Sequence, residues 1–127
     1  MNKILPVILF LLLFFSLFSY PQKEETFKKN FEKATLHLVD ENYPEALKIF
    51  NTLLSEQPGN TNLNFLIGLC YVKSPTSRKE AIGFLEKAVT GTTPDYTEGD
   101  YKQEKAPAYV LRYLAEAYHL SDQFEMA

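Results

Sequence analysis

A chain of 127 residues with 13 basic and 16 acidic side chains carries a formal charge of −3 and makes one domain at most. That mildly acidic balance leaves no basic footprint for nucleic acid, and a single cysteine, Cys70, excludes an internal disulfide. The hydrophobic content of 46% is spread unevenly, because residues 1–20 hold a disproportionate share of it.

Met1-Asn2-Lys3 is a short basic start, Ile4 to Phe18 is apolar apart from Pro6 and Ser16, and a charged sequence begins at Gln22. This is the anatomy of a secretory signal peptide over residues 1–20, and it predicts an exported, periplasmic protein. The apolar run falls short of the roughly 20 residues that a spanning helix needs. Ser19-Tyr20-Pro21 is poor in the small residues a signal peptidase wants, so an uncleaved anchor stays open as the alternative. No cysteine stands near the end of the run to take a lipid.

Past the leader, Phe27, Phe31, Ala34 and Leu38 recur at helical spacing opposite Lys28, Lys29, Glu32 and Lys33, which predicts a helix over 23–41. Asn42 and Glu45 have capping-box spacing and Pro44 suits a first turn, so a second helix is expected over about 43–56, with Leu47, Phe50, Leu53 and Leu54 inward. Gln57-Pro58-Gly59-Asn60 stops it. Leu63, Ile67 and Tyr71 open a second pair, and Ala81, Leu85 and Ala88 continue it after a Lys73-Ser74-Pro75 break. Gly68 costs about 1 kcal/mol relative to alanine inside a helix, so a close neighbour must offset it, and Ala81 is the expected contact. Ser77 and Glu80 offer another capping box.

Residues 91–105 are rich in proline, glycine and charge and predict a surface loop that packs Tyr96 and Tyr101 back onto the helices. Its acids, Asp95, Glu98, Asp100 and Glu104, follow no EF-hand order. Pro107 restarts a helix over Tyr109 to Leu120, Ser121-Asp122 breaks it, and Gln123 to Ala127 read as the first turn of a partner. Leu111, Leu114 and Tyr118 then lack cover, so either the chain continues or a second molecule, such as another copy, lies on that face.

The pairs are self-similar. Leu111, Leu114, Ala115 and Tyr118 repeat the spacing of Asn64, Ile67, Gly68 and Tyr71, and Tyr43, Ala46, Phe50 and Pro58 repeat the logic of Ala81, Leu85 and Ala88. The pattern resembles the tetratricopeptide repeat (TPR), with repeats over about 27–60, 61–94 and a truncated 108–127, the last reaching Phe124. The resemblance implies an all-α solenoid over 23–127, built of antiparallel helix hairpins that meet at Ala34 with Ala46 and at Gly68 with Ala81, with Ala88 and Ala115 as further packing positions. It also implies a concave wall for a protein or peptide partner. The wall maps to Lys28, Phe31, Thr35 and Leu38, then Asn62, Phe65, Leu69 and Val72, then Tyr109, Arg112, Glu116 and His119. Phe31, Thr35, Phe65 and Leu69 stand where a carboxylate clamp would carry lysine and asparagine, so the implied groove is apolar or aromatic; the same aromatics could equally pack against Tyr96 or Tyr101.

The leader, Tyr43-x-x-Ala46-Leu47-x-x-Phe50, Ile67-Gly68-x-Cys70-Tyr71 with Ser74-Pro75, Ala106-Pro107, and Leu114-Ala115-x-x-Tyr118-His119 with Phe124 are similar to the N-terminal TPR region of Bacteroidota OmpA-like outer-membrane proteins. That resemblance implies an interaction scaffold of the cell envelope. The sensory region of a signalling protein and a stand-alone dimerising adaptor are the alternatives. No catalytic set is expected: His37 and His119 form no metal spacing, and neither a phosphate loop nor a nucleophile elbow occurs. No cofactor is expected, and Cys70 reads as a buried small hydrophobe.

Overall fold

In the computed structural model, the backbone is described for residues 3–125, and the side chains for all of these except 18, 19 and 123–125. Met1 and Asn2 of the basic start, Ala127 and the side chain of Phe124 therefore lie outside the described residues. Among the described residues the chain is mostly helical, consistent with the all-α expectation, with five α-helices, one 3₁₀ turn and one pair of two-residue strands.

Helix α1 runs unbroken over Leu5–Val39. The helix expected to begin at residue 23 thus starts eighteen positions earlier and carries Pro21 in its interior, where the ring removes one intrahelical hydrogen bond without ending the helix. The described side chains of its apolar first half are exposed, and by length and composition α1 could cross a membrane. Its second half turns Phe27, Phe31 and Ala34 into the core. The helix closes at Asp40-Glu41-Asn42 by a Schellman arrangement: the Asn42 amide donates to the His37 carbonyl at 2.8 Å and the Glu41 amide to Leu38 at 3.2 Å. Glu41 takes the left-handed conformation there, at φ 59°, a place glycine usually fills.

Helix α2, Tyr43–Glu56, has the expected bounds and buries Ala46, Phe50 and Leu53 against α1. Phe50 meets Phe31 edge-on, with ring centroids 6.1 Å apart. The capping box, however, is not formed. Asn42 makes no side-chain cap, and its amide turns instead to the His37 ring at 3.4 Å. The side-chain cap that does form is Asn60, assigned above to a stop signal, whose Oδ1 accepts from the Leu63 amide at 2.9 Å.

Asn60 opens α3, Thr61–Lys73, the centre of the molecule: nine of its thirteen residues are buried, so it has no wet face. After a 3₁₀ turn at Arg78–Glu80, where Ser77 likewise forms no side-chain cap, α4 spans Ala81–Ala88 and lies along α3. The close approach expected at Gly68 is present, but its partner is corrected. A Cβ on Gly68 would sit 2.6 Å from Cγ and Cδ2 of Leu85, one turn beyond Ala81. Ala34, Ala46, Ala81 and Ala88 are all fully buried.

The 91–105 segment is a pinned strap. Strands β1, Thr92–Thr93, and β2, Ala106–Pro107, pair in parallel and close its two ends together. Helix α5, Val110–Glu125, then packs on α3 and α4 through Val110 and Ala117, both fully buried. The expectation for Ala115 is corrected: it is exposed, because the inward stripe runs through buried 110 and 117 with half-buried 114 between them and leaves 111, 115 and 118 on the outer side; Leu114, expected to lack cover, is thus packed against the core. Leu111 and Tyr118 are exposed on that side as expected, and the Tyr118 hydroxyl reaches across to donate to Glu86 on α4.

Candidate functional site

Helices α1, α3 and α5 line up on one side of the molecule and leave a groove of about 320 Å³ between them and the strap. Helix α1 supplies Phe31, Thr35, Leu38 and Val39, and α3 supplies Phe65, Leu66, Leu69 and Lys73. Tyr109 and Tyr113 come from the start of α5, while Tyr96, Glu98 and Gly99 come from the strap. Glu41 and Tyr43 close the end at the α1–α2 turn.

The strap is fixed to the first turn of α3 by two residues. Asn62, 1% exposed, donates from its side-chain amide to the Gln103 carbonyl at 3.0 Å and accepts the Tyr96 hydroxyl at 2.8 Å. Its backbone amide donates to Glu104 at 3.1 Å, so Asn62 spends its donors and its acceptor on this one segment. Thr61 donates its hydroxyl to the Gly91 carbonyl at 2.5 Å and accepts from the Ala106 amide at 3.2 Å. A Cβ at Gly91 would meet Thr61 at 2.9 Å, which explains glycine at that crossing. At the tip, Gly99 adopts φ +76°. At the far edge, Tyr101 donates to Glu24 at 3.0 Å and lies under Lys28, 5.8 Å from the ring centre.

Of the twelve positions mapped to a concave wall, six line the groove: Phe31, Thr35, Leu38, Phe65, Leu69 and Tyr109. Phe31 and Phe65 are almost wholly buried, so they form its floor. The Thr35 hydroxyl is turned back to the Phe31 carbonyl at 2.9 Å, leaving an apolar lip. The other six lie elsewhere. Asn62 is buried under the strap, Val72 is buried in the core, Lys28 faces Tyr101, and Arg112 lies over the outer part of Tyr113 at 5.5 Å. Glu116 and His119 are exposed further along α5. Of the nine lining residues not mapped from sequence, Tyr96, Glu98 and Gly99 come from the strap and Glu41 from the α1–α2 turn, which no repeat register describes; Val39, Tyr43, Leu66, Lys73 and Tyr113 lie on the helices at positions the wall mapping did not select.

Four rings meet at the α5 end. Phe65, Tyr96 and Tyr109 are close to mutually perpendicular, at 87°, 81° and 82°, with centroids 5.9–6.3 Å apart. Tyr113 adds a fourth side, 5.8 Å from Phe65 and 6.3 Å from Tyr109. Burial, then the neighbouring Tyr109 and the charge on Glu98, hold the Tyr96 phenol well above its ordinary pKa. The Tyr109 phenol is raised as well, by burial first and then by Glu98 and Tyr113. The Tyr96 and Tyr109 phenols are therefore held neutral at physiological pH, and Tyr109 is half exposed at the mouth.

Cys70, on α3, is fully buried, and desolvation pushes its thiol up to about 12. Among the described residues no group of three His, Cys, Asp or Glu is placed to hold a metal ion. Comparison with protein-family models, with curated proteins and with solved structures finds no match to this chain.

Proposed function

We propose that this chain is a non-catalytic interaction module of the TPR type, which holds an apolar peptide segment of a partner protein in the groove between α1, α3 and α5. The observation that carries the reading is the groove itself. It is walled by the first helix of each pair, its floor is Phe31 and Phe65, and its lips are Leu38, Leu69 and Tyr109. We further propose that the module works outside the cytoplasm, as the N-terminal part of an OmpA-like envelope protein. That placement rests on the apolar leader and on the sequence resemblance.

The test is a shift map. A pool of eight-residue apolar peptides added to the isotope-labelled full chain in detergent micelles is expected to move the amide signals of Thr35, Leu38, Leu69 and Tyr109. Those of the outer face of α2 are expected to stay still. A pool that moves none of these four signals, or only those of the leader, overturns the reading. Export has its own test: alkaline phosphatase fused after Ala127 is expected to be active in a bacterial host, and an inactive fusion removes the envelope placement.

A second reading, a dimerising adaptor, is favoured by Leu111, which is 61% exposed, and by Tyr118 beside it on the outer side of α5. Leu111→Lys separates the two, since it abolishes a dimer and leaves peptide binding in the groove intact.

A further inference from the structure

The aromatic end of the groove differs in chemistry from the rest of it. Leu38, Leu66 and Leu69 present aliphatic surface, which accepts any apolar side chain. Where the strap meets α5, three mutually perpendicular rings form the corner of a box, and a fourth ring stands beside them. Aromatic faces carry negative potential at their centres, so ring surface that lines the groove here favours a cation over a neutral group of the same size. A carboxylate lies at the same corner: Glu98 is part of the wall and is close enough to act on both Tyr96 and Tyr109. Glu41 is a second wall carboxylate, and Lys73 is the one basic wall residue. The balance at the wall is thus negative. Four such contacts are already present among the described residues, with Lys28 and Lys102 over Tyr101, Lys87 over Phe84 and Arg112 over Tyr113.

We infer that the box of Phe65, Tyr96, Tyr109 and Tyr113, with Glu98 at its edge, is a subsite for one basic side chain of the bound peptide, so that the partner segment is apolar with a lysine or arginine at one position. This rests on the reading of the groove as a peptide site, and it specifies the partner's chemistry. The strap makes the subsite: without Tyr96 and Glu98 the box has neither its third wall nor its charge. An insertion between the second and third helix pairs therefore acts as a specificity element.

The test compares three fluorescent peptide pools, apolar at seven of eight positions and carrying lysine, norleucine or glutamate at the fourth. Binding to the full chain in micelles is followed by anisotropy, with binding to empty micelles subtracted. The lysine pool is expected to bind about fivefold or more tightly than the norleucine pool, and the glutamate pool least. Glu98→Gln and Tyr109→Leu, both at exposed positions, are each expected to cut the ratio of lysine-pool to norleucine-pool affinity to less than about twofold. Equal binding of the three pools, or a preference that survives both substitutions, overturns the cation subsite and leaves the peptide groove standing. Absence of binding by all three overturns both.

Discussion

Glu41 shows how one residue can hold the chain in a costly conformation at the lip of the groove. It occupies the left-handed position of the turn that ends α1, and an L-residue there is roughly 1 kcal/mol worse than glycine. Glu41→Gly is therefore expected to raise stability by about 0.5–1 kcal/mol, read as a shift in the urea midpoint at constant slope. An unchanged or lowered midpoint would mean that the carboxylate holds the turn by a contact worth more than the backbone cost. Gly68 is the opposite case. A methyl group there meets Leu85 at 2.6 Å, and Gly68→Ala is expected to destabilise by about 1–3 kcal/mol despite its better helix propensity. In Leu85→Ala the same change should cost far less, because the colliding atoms are gone. Equal costs in both backgrounds would show that the approach is not tight. At Cys70 the thiol is raised above its ordinary value by burial, so the native state favours the neutral form. The sign follows: this contribution is intact below about pH 9 and is lost as pH rises toward about 12, since the unfolded thiol ionises first. At pH 8, a thiol reagent should label Cys70 no faster than the protein opens.

At the scale of elements, the first two helix pairs were legible because each is written twice, once as an apolar stripe and once as a breaker; the breaker read at Ser121-Asp122 failed, since α5 runs on through it to Glu125. Tyr43–Glu56 begins after Asn42 and ends before Gln57-Pro58-Gly59, and the sequence marks both limits. The start of α1 was not legible, because the stripe of Phe27 and Phe31 gives no reason for the helix to stop at Pro21 on its way back through the leader. The capping boxes at Asn42 and Ser77 failed because spacing alone does not set a side-chain rotamer; at Asn42 the amide finds His37 instead. The strap was least legible. Its composition reads as a loop, yet it is held by Asn62 and Thr61 from some thirty to forty-five positions away, and long-range hydrogen bonds of this kind leave no local pattern. The same gap hid Glu98 and Gly99, which belong to no repeat, although the return of Tyr96 onto the helices was expected. Asn62→Leu strands the Tyr96 hydroxyl and the Gln103 carbonyl, and it is expected to cost about 2–4 kcal/mol. Amide exchange should locate the loss. Ala106 and Ala108, which donate across the base of the strap, should lose protection, while Phe50 in α2 keeps its own. Uniform loss across the chain would mean that strap and helices open together.

For the molecule as a whole, α1 serves two solvents in one helix. Up to Leu17 the described side chains are exposed apolar groups with no protein against them, and from Phe27 onward one face is core. Between lie Lys23, Glu24 and Glu25, all exposed, so the change of environment falls within about ten residues, or roughly 15 Å of helix. Two consequences separate cleanly. If the apolar half contributes nothing to the packed domain, deleting residues 1–20 should leave the stability of the remainder within about 0.5 kcal/mol of the full chain in micelles. Cutting on through Phe31 should unfold it, because Phe27 and Phe31 stack on each other and Phe31 meets Phe50. Thermal melts followed by circular dichroism on the two truncations read the difference directly. A loss of several kcal/mol on removing residues 1–20 would mean that the leader packs on the domain, and the groove would then have a fourth wall. An unchanged melt makes the domain over residues 23–127 a self-sufficient unit, whose groove depends on the strap and three helices alone.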